Sequence, residues 1–265
     1  MSGRNNWGQQ SMTELVWEDH GSVALLRFEG SERLNAFSRE TYASFERELE
    51  RFAADARWKV IILTGAGRAF CSGQDLDEAA EVASLPQDAL RARLQQLQDL
   101  TRRMRGLPKL LLAAVNGPAV GFGAELTLAC DVRFASEDAY FMFPELAREL
   151  YFTNATLELL PALAGSARAC ELLFGGERWS AAEALAAGFV SRVVPGPELL
   201  PAAQRFAARV AQVPAEALNS TLRFIRGRHT ADVDAALRYE VDTFLELRAR
   251  GALTAFTPPT PGRTV

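Results

Sequence analysis

The amino-acid sequence predicts an α/β fold, in which a parallel β-sheet core is followed by a helical appendage. Two segments, VIILT at 60–64 and LLLAAV at 110–115, are fully apolar and run into glycine-containing turns, as strands buried in a parallel sheet do. Between them, the amphipathic stretch LRARLQQLQDLTRRM at 90–104 predicts a crossover helix. Beyond Pro161 the chain has successive helical patterns, which predict the appendage.

The remaining elements of the first half follow from local patterns. Residues 13–28 contain two short apolar pieces around the turn Asp19-His20-Gly21, which predict a β-hairpin. Ser38 is the expected N-cap of a helix with one apolar face. After Gly123, AELTLACD predicts a short helix, and VRFAS and AYFMF predict two short strands. The residues of the apolar helix face are Phe45, Leu49 and Phe52.

Composition excludes several classes of protein. The 265-residue chain is 48% hydrophobic, enough for a sizeable core, and its net charge of −4 with scattered Lys and Arg does not indicate nucleic-acid binding. Its longest apolar run, from Leu110, is interrupted by Asn116 to Pro118 and by Glu125, so no transmembrane helix is expected. Three cysteines without a CxxC pair indicate reduced thiols in a cytoplasm. Residues 1–12 are expected to be a disordered lead-in and residues 257–265 a loose tail.

The residues that commonly carry catalysis are few. The only two histidines, His20 in a turn and His229 in a basic helix end, are poorly placed for acid–base work. Cys71 is expected to be an inert buried thiol, with nucleophile as the alternative. No Cys/His spacing resembles a zinc site, and the acidic stretch DLDE at 75–78 predicts a solvated helix start, so no metal is expected.

Glu125 is the only charged residue among the 21 residues between Lys109 and Asp131. A carboxylate in an apolar run is neutralised by a partner, protonated, or retained for function. It follows the glycine-flanked turn Gly121-Phe122-Gly123, whose N–H groups at a helix start can stabilise a developing oxyanion. A second loop of this kind, GAGRAFCSGQDL at 65–76, follows the strand VIILT. The alternative is that these glycines only allow close packing and that Glu125 caps a neighbouring group.

Taken together, these motifs resemble the enoyl-CoA hydratase/isomerase, or crotonase, superfamily. The similarity runs in consistent order from about Leu15 to Val194. The segments that carry it are SERLNAF, VIILTGAGRAFCSGQDL, PKLLLAAVNGPAVGFGAELTLACDVRFAS, AYFMFPE and SAAEALAAGFVSRVV. The resemblance implies a crotonase (ClpP/crotonase-like) spiral of ββα units at 13–197. It also implies a C-terminal helical trimerisation domain at 198–256, with assembly as a homotrimer or a dimer of trimers.

The resemblance also implies site residues. The oxyanion-hole amides fall on the N–H groups of Gln74 and Phe122, and the two hydratase glutamates fall on Glu125 and Glu145. The substrate would be an acyl-CoA, with coenzyme A as its thioester carrier and no permanently bound cofactor. For Glu145 the alternative is a helix-start carboxylate after Pro144. The positions implied for coenzyme A binding are Leu34, Ala36, Ala69, Ser72, Gly73 and Gly121.

Two regions depart from the family pattern. Where typical hydratases carry LG-x-x-PGAGGTQ, this chain has LARELYFTNATLELLPALAG at 146–165, with Glu149 at the usual Gly and Phe152 at the Pro. Tyr151 and Phe152 are expected to line an acyl pocket or to pack in the core, and Glu149 to be a pocket acid or a surface residue. The C-terminal end lacks the family's lysines, which leaves Arg263 as the candidate for the coenzyme A phosphate.

The resemblance implies an enzyme that stabilises a thioester enolate and adds water syn to a 2-enoyl-CoA, or catalyses the reverse. Within the superfamily the alternatives are a double-bond isomerase and a decarboxylase, hydrolase or carbon–carbon lyase. The alternative of another class is a non-catalytic trimeric scaffold or an RNA-binding member. Retention of both Glu125 and Glu145, and the acidic net charge, weigh against that class.

Overall fold

The computed structural model describes residues 12–76, 78, 82, 84–227 and 230–250. The predicted lead-in except Met12, the predicted tail, His229, Arg263 and part of the acidic stretch at 75–78 lie outside the described residues. Within that described part, no helix combines the length and hydropathy needed to cross a membrane.

A six-stranded sheet forms the centre of the protein. Its strands are, in spatial order, β1 (Glu14–His20), β2 (Val23–Glu29), β3 (Val60–Gly65), β4 (Leu110–Val115), β6 (Val132–Ser136) and β9 (Arg192–Val194). β1 and β2 are the antiparallel hairpin that the sequence predicts, and every other neighbouring pair is parallel. The predicted parallel pairing of the two apolar strands is therefore confirmed.

A second sheet of three strands stands beside the first. It contains β5 (Ala119–Val120), β7 (Tyr140–Met142) and β8 (Trp179–Ser180), with β7 in the middle. The stretch AYFMF does contain a strand, but that strand belongs to this small sheet. β5 leads through Gly121 directly into the helix that carries Glu125.

Nine α-helices are described, and they alternate with the strands in the first half and follow one another in the second. Their bounds are α1 (Arg39–Ala54), α2 (Gln87–Gly106), α3 (Phe122–Leu128), α4 (Thr156–Ala164), α5 (Ser166–Gly175), α6 (Ala181–Ala186), α7 (Leu199–Val210), α8 (Ala215–Gly227) and α9 (Thr230–Ala249). Ser38 accepts a hydrogen bond from Thr41 N at the start of α1, as expected of an N-cap. Gly188 follows the end of α6 with φ +76°, a left-handed conformation typical of the residue after a helix.

The main sheet is covered on both faces, which explains its apolar strands. Alternate residues of β3 face opposite sides: Ile61 and Leu63 join a cluster with residues of α1 and α2, whereas Val60 and Ile62 join a cluster with residues of α7 and α8. A strand buried on both faces has no position for a polar side chain, so its sequence is a continuous apolar run.

Two asparagine side chains, the buried Asn35 and the half-buried Asn116, hold the loop that follows β3. Asn116, just after β4, accepts from Gly65 N at 3.0 Å and donates to Ala69 O at 3.1 Å. Asn35 donates to Ala66 O at 2.9 Å and to Ala69 O at 2.8 Å. The loop after β3 is thereby tied to the chain on either side of it, at the carboxyl edge of the sheet where ligands of α/β folds bind.

A buried ion pair joins α8 to Asp131, the residue before β6. Arg226, which is 6% exposed, donates to the two carboxylate oxygens of Asp131 at 2.8 and 2.5 Å. It also donates to the carbonyl oxygens of Leu107 and Lys109, and Asp131 accepts from Leu111 N at 2.8 Å. Part of the basic group around 223–229 is therefore structural.

We expect Arg226→Met to lower the free energy of unfolding by about 3–5 kcal/mol, because it leaves the Asp131 carboxylate buried without its cation. Urea denaturation followed by circular dichroism measures this change. The matched control is Arg205→Met, since the Arg205–Glu198 pair is 62% and 60% exposed in its side chains and should contribute less than about 1 kcal/mol. Equal losses in the two variants would contradict a role for the buried pair.

Candidate active site

A cavity of about 120 Å³ lies at the carboxyl edge of the main sheet. Three chain segments form its polar side: residues 72–74 after β3, residues 120–122 between β5 and α3, and residues within 144–154. Apolar side chains form the opposite side. They are Val82, Leu90, Leu94 and Leu97 before and along α2, and Phe244 of α9. The cavity thus combines an apolar wall with a few converging polar groups, as ligand sites do.

Most of the residues predicted for the site line this cavity. They are Ser72, Gly73, Gln74, Gly121, Phe122, Glu125 and Glu145. Leu34, Ala36 and Ala69 do not line it. Leu34 and Ala69 lie beside the loop after β3 instead, where their carbonyl oxygens accept from Ser72 N and from Asn35.

Two glycines bring the polar segments into contact. Gly73 has φ +106°, and a Cβ there would lie 2.9 Å from Val120 O and 3.6 Å from Phe122 N. Gly121 has φ +53°, and its Cβ would lie 3.2 Å from Glu145 Oε1. Because L-residues rarely adopt these conformations and any Cβ would crowd the cavity, glycine is required at both positions.

The N–H groups of Gln74 and Phe122 lie at this junction, and neither has a backbone partner within the described residues. Phe122 is the first residue of α3, where an N–H has no intrahelical acceptor. Neighbouring amides are used: Gly121 N donates to Met142 O, and Asp75 N donates to Phe37 O. Neither Gln74 N nor Phe122 N donates to a carbonyl of the described backbone. The buried side-chain Nε2 of Gln74 also has no partner within that part of the chain.

The carboxylate of Glu125 is buried and held by three neighbouring residues. Its side chain is 3% exposed. Oε2 accepts from Asn154 Nδ2 at 2.6 Å, and Oε1 accepts from Thr156 Oγ1 at 2.7 Å and, more weakly, from Thr153 N at 3.4 Å. Burial raises the pKa of Glu125 above its usual value, and these hydrogen bonds, which stabilise the ionised form, oppose part of that shift.

Glu145 lies in the same cavity in a different environment. It is 9% exposed, and its Oε2 has no hydrogen-bond partner among the described residues. Burial, followed by the negative charge of Glu125, raises the pKa of Glu145 well above the usual value, and the nearby Arg148 opposes the shift. It precedes only a three-residue 3₁₀ turn and makes no capping bond, so the geometry does not favour the helix-start alternative.

A third buried carboxyl group was missed by sequence reasoning. Glu240 of α9 is fully buried, and it accepts from Ala155 N at 2.8 Å and from Leu157 N at 3.1 Å at the start of α4. Burial and the charge of Glu125 raise its pKa to about 8. Its position on the apolar face of α9, three residues after Leu237 and one before Val241, was a signal that could have found it.

The three carboxyl groups differ in their hydrogen-bond donors. Glu125 and Glu240 each accept at least two hydrogen bonds, and Glu145 accepts none from another side chain in the described structure. Glu145 has the fewest donors of the three, and burial and the charge of Glu125 raise its pKa well above the usual value, so it retains its proton to higher pH than Glu125 does. The cavity therefore pairs Glu125, the more readily ionised carboxyl group, with Glu145, which retains its proton.

In the segment that departs from the family pattern, some side chains line the cavity and others pack in the hydrophobic core. Tyr151 lines the cavity, whereas Phe152 is 1% exposed in the hydrophobic core and does not line it. Glu149 is exposed, lies outside the cavity wall, and has φ +56°. The backbone is left-handed at this position, which explains why typical family members have glycine there.

The surroundings of the other candidate residues, and of a second cleft, argue against a catalytic role for them. Cys71 is buried, and burial raises its pKa to about 12, which supports the inert thiol over the nucleophile. His20 ends β1 and lies beside Glu18, 3.3 Å away, on the surface. A larger cleft of about 850 Å³ between α2, α8 and α9 contains none of the predicted site residues. Its Arg226 is bound to Asp131, so we assign the site to the smaller cavity.

Comparisons with known proteins agree with this arrangement. The family model described as Enoyl-CoA hydratase/isomerase matches residues 18–253. The protein named "Probable enoyl-CoA hydratase echA12" of Mycobacterium bovis is 35% identical over 242 residues, which are 88% of this chain and 85% of that protein. The 1,2-epoxyphenylacetyl-CoA isomerase of Escherichia coli is 34% identical over 231 residues, 87% of this chain and 88% of that one.

A solved structure supports the same assignment. The crystal structure of an enoyl-CoA hydratase/isomerase from Xanthobacter autotrophicus Py2 has a TM-score of 0.81 and 30% identity, covering 92% of this chain and 95% of that one. The crotonase fold expected from the motifs is therefore confirmed. The chain belongs to the enoyl-CoA hydratase/isomerase family of the crotonase superfamily, and it is an enzyme of that type.

Proposed function

We propose that this enzyme adds water syn across the double bond of a 2-enoyl-CoA thioester, or catalyses the reverse dehydration. One observation carries the proposal. Two buried carboxyl groups line one cavity: Glu125, which accepts from three residues, and Glu145, whose Oε2 has no partner among the described residues. Two N–H groups that donate to no carbonyl of the described backbone line it with them. Paired carboxyl groups in different protonation states can act as base and acid.

In this mechanism the thioester carbonyl oxygen accepts from Gln74 N–H and Phe122 N–H. The charge that develops on that oxygen when the enolate forms is stabilised by both donors. A donor of this kind typically contributes about 3–4 kcal/mol to lowering the barrier. The glycine conformations at Gly73 and Gly121 hold the donors in place before the substrate arrives.

The proton balance then follows from the two carboxyl groups. Ionised Glu125 takes a proton from water as the water oxygen forms a bond to the β-carbon. The electron pair of the double bond moves to the α-carbon through the enolate, and protonated Glu145 delivers its proton there. One water is added, and the proton gained by Glu125 offsets the one lost by Glu145. Dehydration is the same sequence reversed.

We propose coenzyme A as the carrier, and Leu34, Ala36, Ala69 and Ser72 as residues that contact it. Support comes from the resemblance and from the place of the loop after β3, which joins the cavity to the surface. The apolar wall of Leu90, Leu94, Leu97 and Phe244, with Tyr151 nearby, favours an acyl group without charge at its far end. These leucines repeat along one face of α2.

A double-bond isomerase is the second candidate, and the hydrogen bonds of Glu125 favour it. Both Glu125 oxygens already accept from the protein, whereas Glu145 Oε2 has no partner among the described residues. In this alternative Glu145 would be ionised when the substrate binds, would take a proton from the α- or γ-carbon of the acyl chain to form the enolate, and would return it to the other carbon, so that no water is needed.

We also propose assembly as a trimer or a dimer of trimers in the cytoplasm, with residues 198–256 as the trimerisation domain. Large apolar side chains exposed on the helices support assembly, because patches of this kind mark interfaces. They are Phe174, Phe224, Ile225 and Tyr239. The three unpaired thiols support a reducing compartment.

The experiment that tests the function is a mass-spectrometric screen of linear, branched and aromatic 2-enoyl-CoA thioesters in D₂O. We expect one added water with deuterium at the α-carbon, which identifies a hydratase and its acyl preference together. Deuterium uptake or a shifted double bond without added water would replace hydration by isomerisation. Absence of any change across the panel would contradict both candidates.

We expect Phe122→Pro to lose at least about 10²-fold in kcat, because proline removes the N–H proposed as an oxyanion donor. Proline is compatible with the first residue of a helix, so α3 should form. Steady-state kinetics with the substrate found in the screen measures the loss. The control is Phe122→Leu, which keeps the N–H and removes only the ring that packs on Phe37 and Tyr42. Similar activity of both variants would contradict the oxyanion assignment.

We expect Glu145→Gln to lose about 10²–10⁴-fold in kcat because the general acid is removed. The same change should stabilise the fold increasingly as pH rises. A carboxyl group whose pKa is raised on folding binds more protons in the folded than in the unfolded state, so it destabilises the protein above its unfolded pKa. Thermal unfolding at pH 5 and pH 8 should show a larger advantage of the variant at pH 8.

The control for this pH dependence is Glu149→Gln, which changes an exposed carboxylate outside the cavity and should alter stability by less than about 0.5 kcal/mol. A difference between Glu145→Gln and wild type that stays constant from pH 5 to pH 8 would show that Glu145 is not protonated by its burial.

A further inference from the structure

Asn154 contacts the carboxylate of Glu125 from a segment where typical family members have a glycine-rich loop. Its side chain is 2% exposed, and Nδ2 lies 2.6 Å from Glu125 Oε2. Asparagine presents an acceptor and a donor on one amide, and only the NH₂ group stabilises an ionised carboxylate. The effect of Asn154 on Glu125 therefore depends on which way its amide is turned.

A hydroxyl group on α2 sets that orientation. Thr101 Oγ1 donates to Asn154 Oδ1 at 3.0 Å, and Thr101 is 4% exposed. With Oδ1 held by Thr101, Nδ2 is directed to Glu125 and to Thr153 Oγ1, 3.0 Å away. Thr101 does not line the cavity, so it acts on Glu125 only through Asn154.

The backbone of the same segment is held from α9. Ala155 has φ +61°, a left-handed conformation that L-residues other than Gly, Asn and Asp rarely adopt. Glu240 accepts from the N–H groups of Ala155 and Leu157, on both sides of Thr156. Thr156 Oγ1 in turn donates to Glu125 Oε1 at 2.7 Å. Helices α2 and α9 thus support the donors of Glu125 from two directions.

We propose that Asn154 is a positioning residue that keeps Glu125 ionised as the base of the reaction, with its amide oriented by Thr101 and its backbone held by Glu240. The inference rests on the base role proposed above for Glu125. Each donor stabilises the charged form against the cost of burial. Losing the orientation of the Asn154 amide moves Glu125 toward its protonated, inactive form.

Other titratable groups also face Glu125. Glu145 and Glu240 are the other carboxyl groups near it: burial and the charge of Glu125 raise the pKa of both, and Arg148 opposes the shift at Glu145. Tyr42 of α1 lies within its electrostatic range, and burial raises the pKa of Tyr42 well above the usual value. Cys71 and Arg93 adjoin Tyr42. Burial raises the pKa of both Tyr42 and Cys71, so these two groups remain neutral between pH 5 and pH 9.

The test compares Thr101→Val with Thr101→Ser on the 2-enoyl-CoA thioester that turns over fastest in the screen. Valine keeps the shape of threonine and lacks the hydroxyl, while serine keeps the hydroxyl. We expect Thr101→Val to lower kcat about 5–10-fold with little change in KM, in keeping with the loss of one buried hydrogen bond. The acidic limb of the kcat–pH profile should move to higher pH. Thr101→Ser should retain most of the kcat and the wild-type profile.

Asn154→Ala is the second variant, and it should lower kcat by about 10–100-fold because a donor to a charged group is lost. If Thr101→Val does not fold, Asn154→Ala tests the inference in its place. Both variants should raise the pH at which the Glu125 carboxylate forms. That pH is measured without substrate by infrared titration, with Glu125→Gln used to identify the band.

The outcomes separate the inference from the proposed function. If Glu125→Gln is inactive and Thr101→Val matches Thr101→Ser in kcat, pH profile and carboxylate titration, Asn154 is only structural and the inference is overturned. If Glu125→Gln turns over at the wild-type rate, the base role itself is wrong. In the Glu125→Gln background, Thr101→Val should cause no further loss of kcat, since the effects of two residues that act through one group are not additive. A further loss would contradict the inference.

Discussion

Burial of the Glu125 carboxylate is the constraint on which the rest of the site depends. An ionised carboxylate is costly away from water unless hydrogen-bond donors surround it. Here the donors come from a segment that begins 28 residues later, and that segment is held by α2 and α9. The helical part of the chain is therefore necessary for the charge state of a residue in the sheet-containing core.

The second constraint is the close approach of backbones at two glycines. Gly73 brings the loop after β3 against Val120 and Phe122, and Gly121 leaves space for the carboxyl group of Glu145. Asn35 and Asn116 hold the first of these loops from either side. Because backbone groups form the contact, the position of the N–H groups depends on fold geometry more than on the side chains at those positions.

The sequence predicts an element or a residue correctly where burial produces a recognisable local pattern of residues. β3 and β4 are predictable because strands covered on both faces are continuously apolar, and Glu125 is conspicuous because it interrupts such a run. Asn154 and Thr156 are polar residues in an irregular segment, and nothing local shows that they face a carboxylate 29 and 31 residues earlier. The family resemblance marks that segment as altered without saying what the new side chains contact.

The altered segment also changes which carboxyl group is free to react. A glycine-rich loop offers backbone N–H groups, whereas this chain adds the amide of Asn154 and the hydroxyl of Thr156 to Glu125. These donors make Glu125 a weaker base and leave Glu145 as the group whose proton is least constrained. Since base strength should match the operating pH, the donors must compensate for burial without exceeding it. In the proposed mechanism, the balance between hydration and isomerisation depends on how firmly α2 and α9 hold these two side chains.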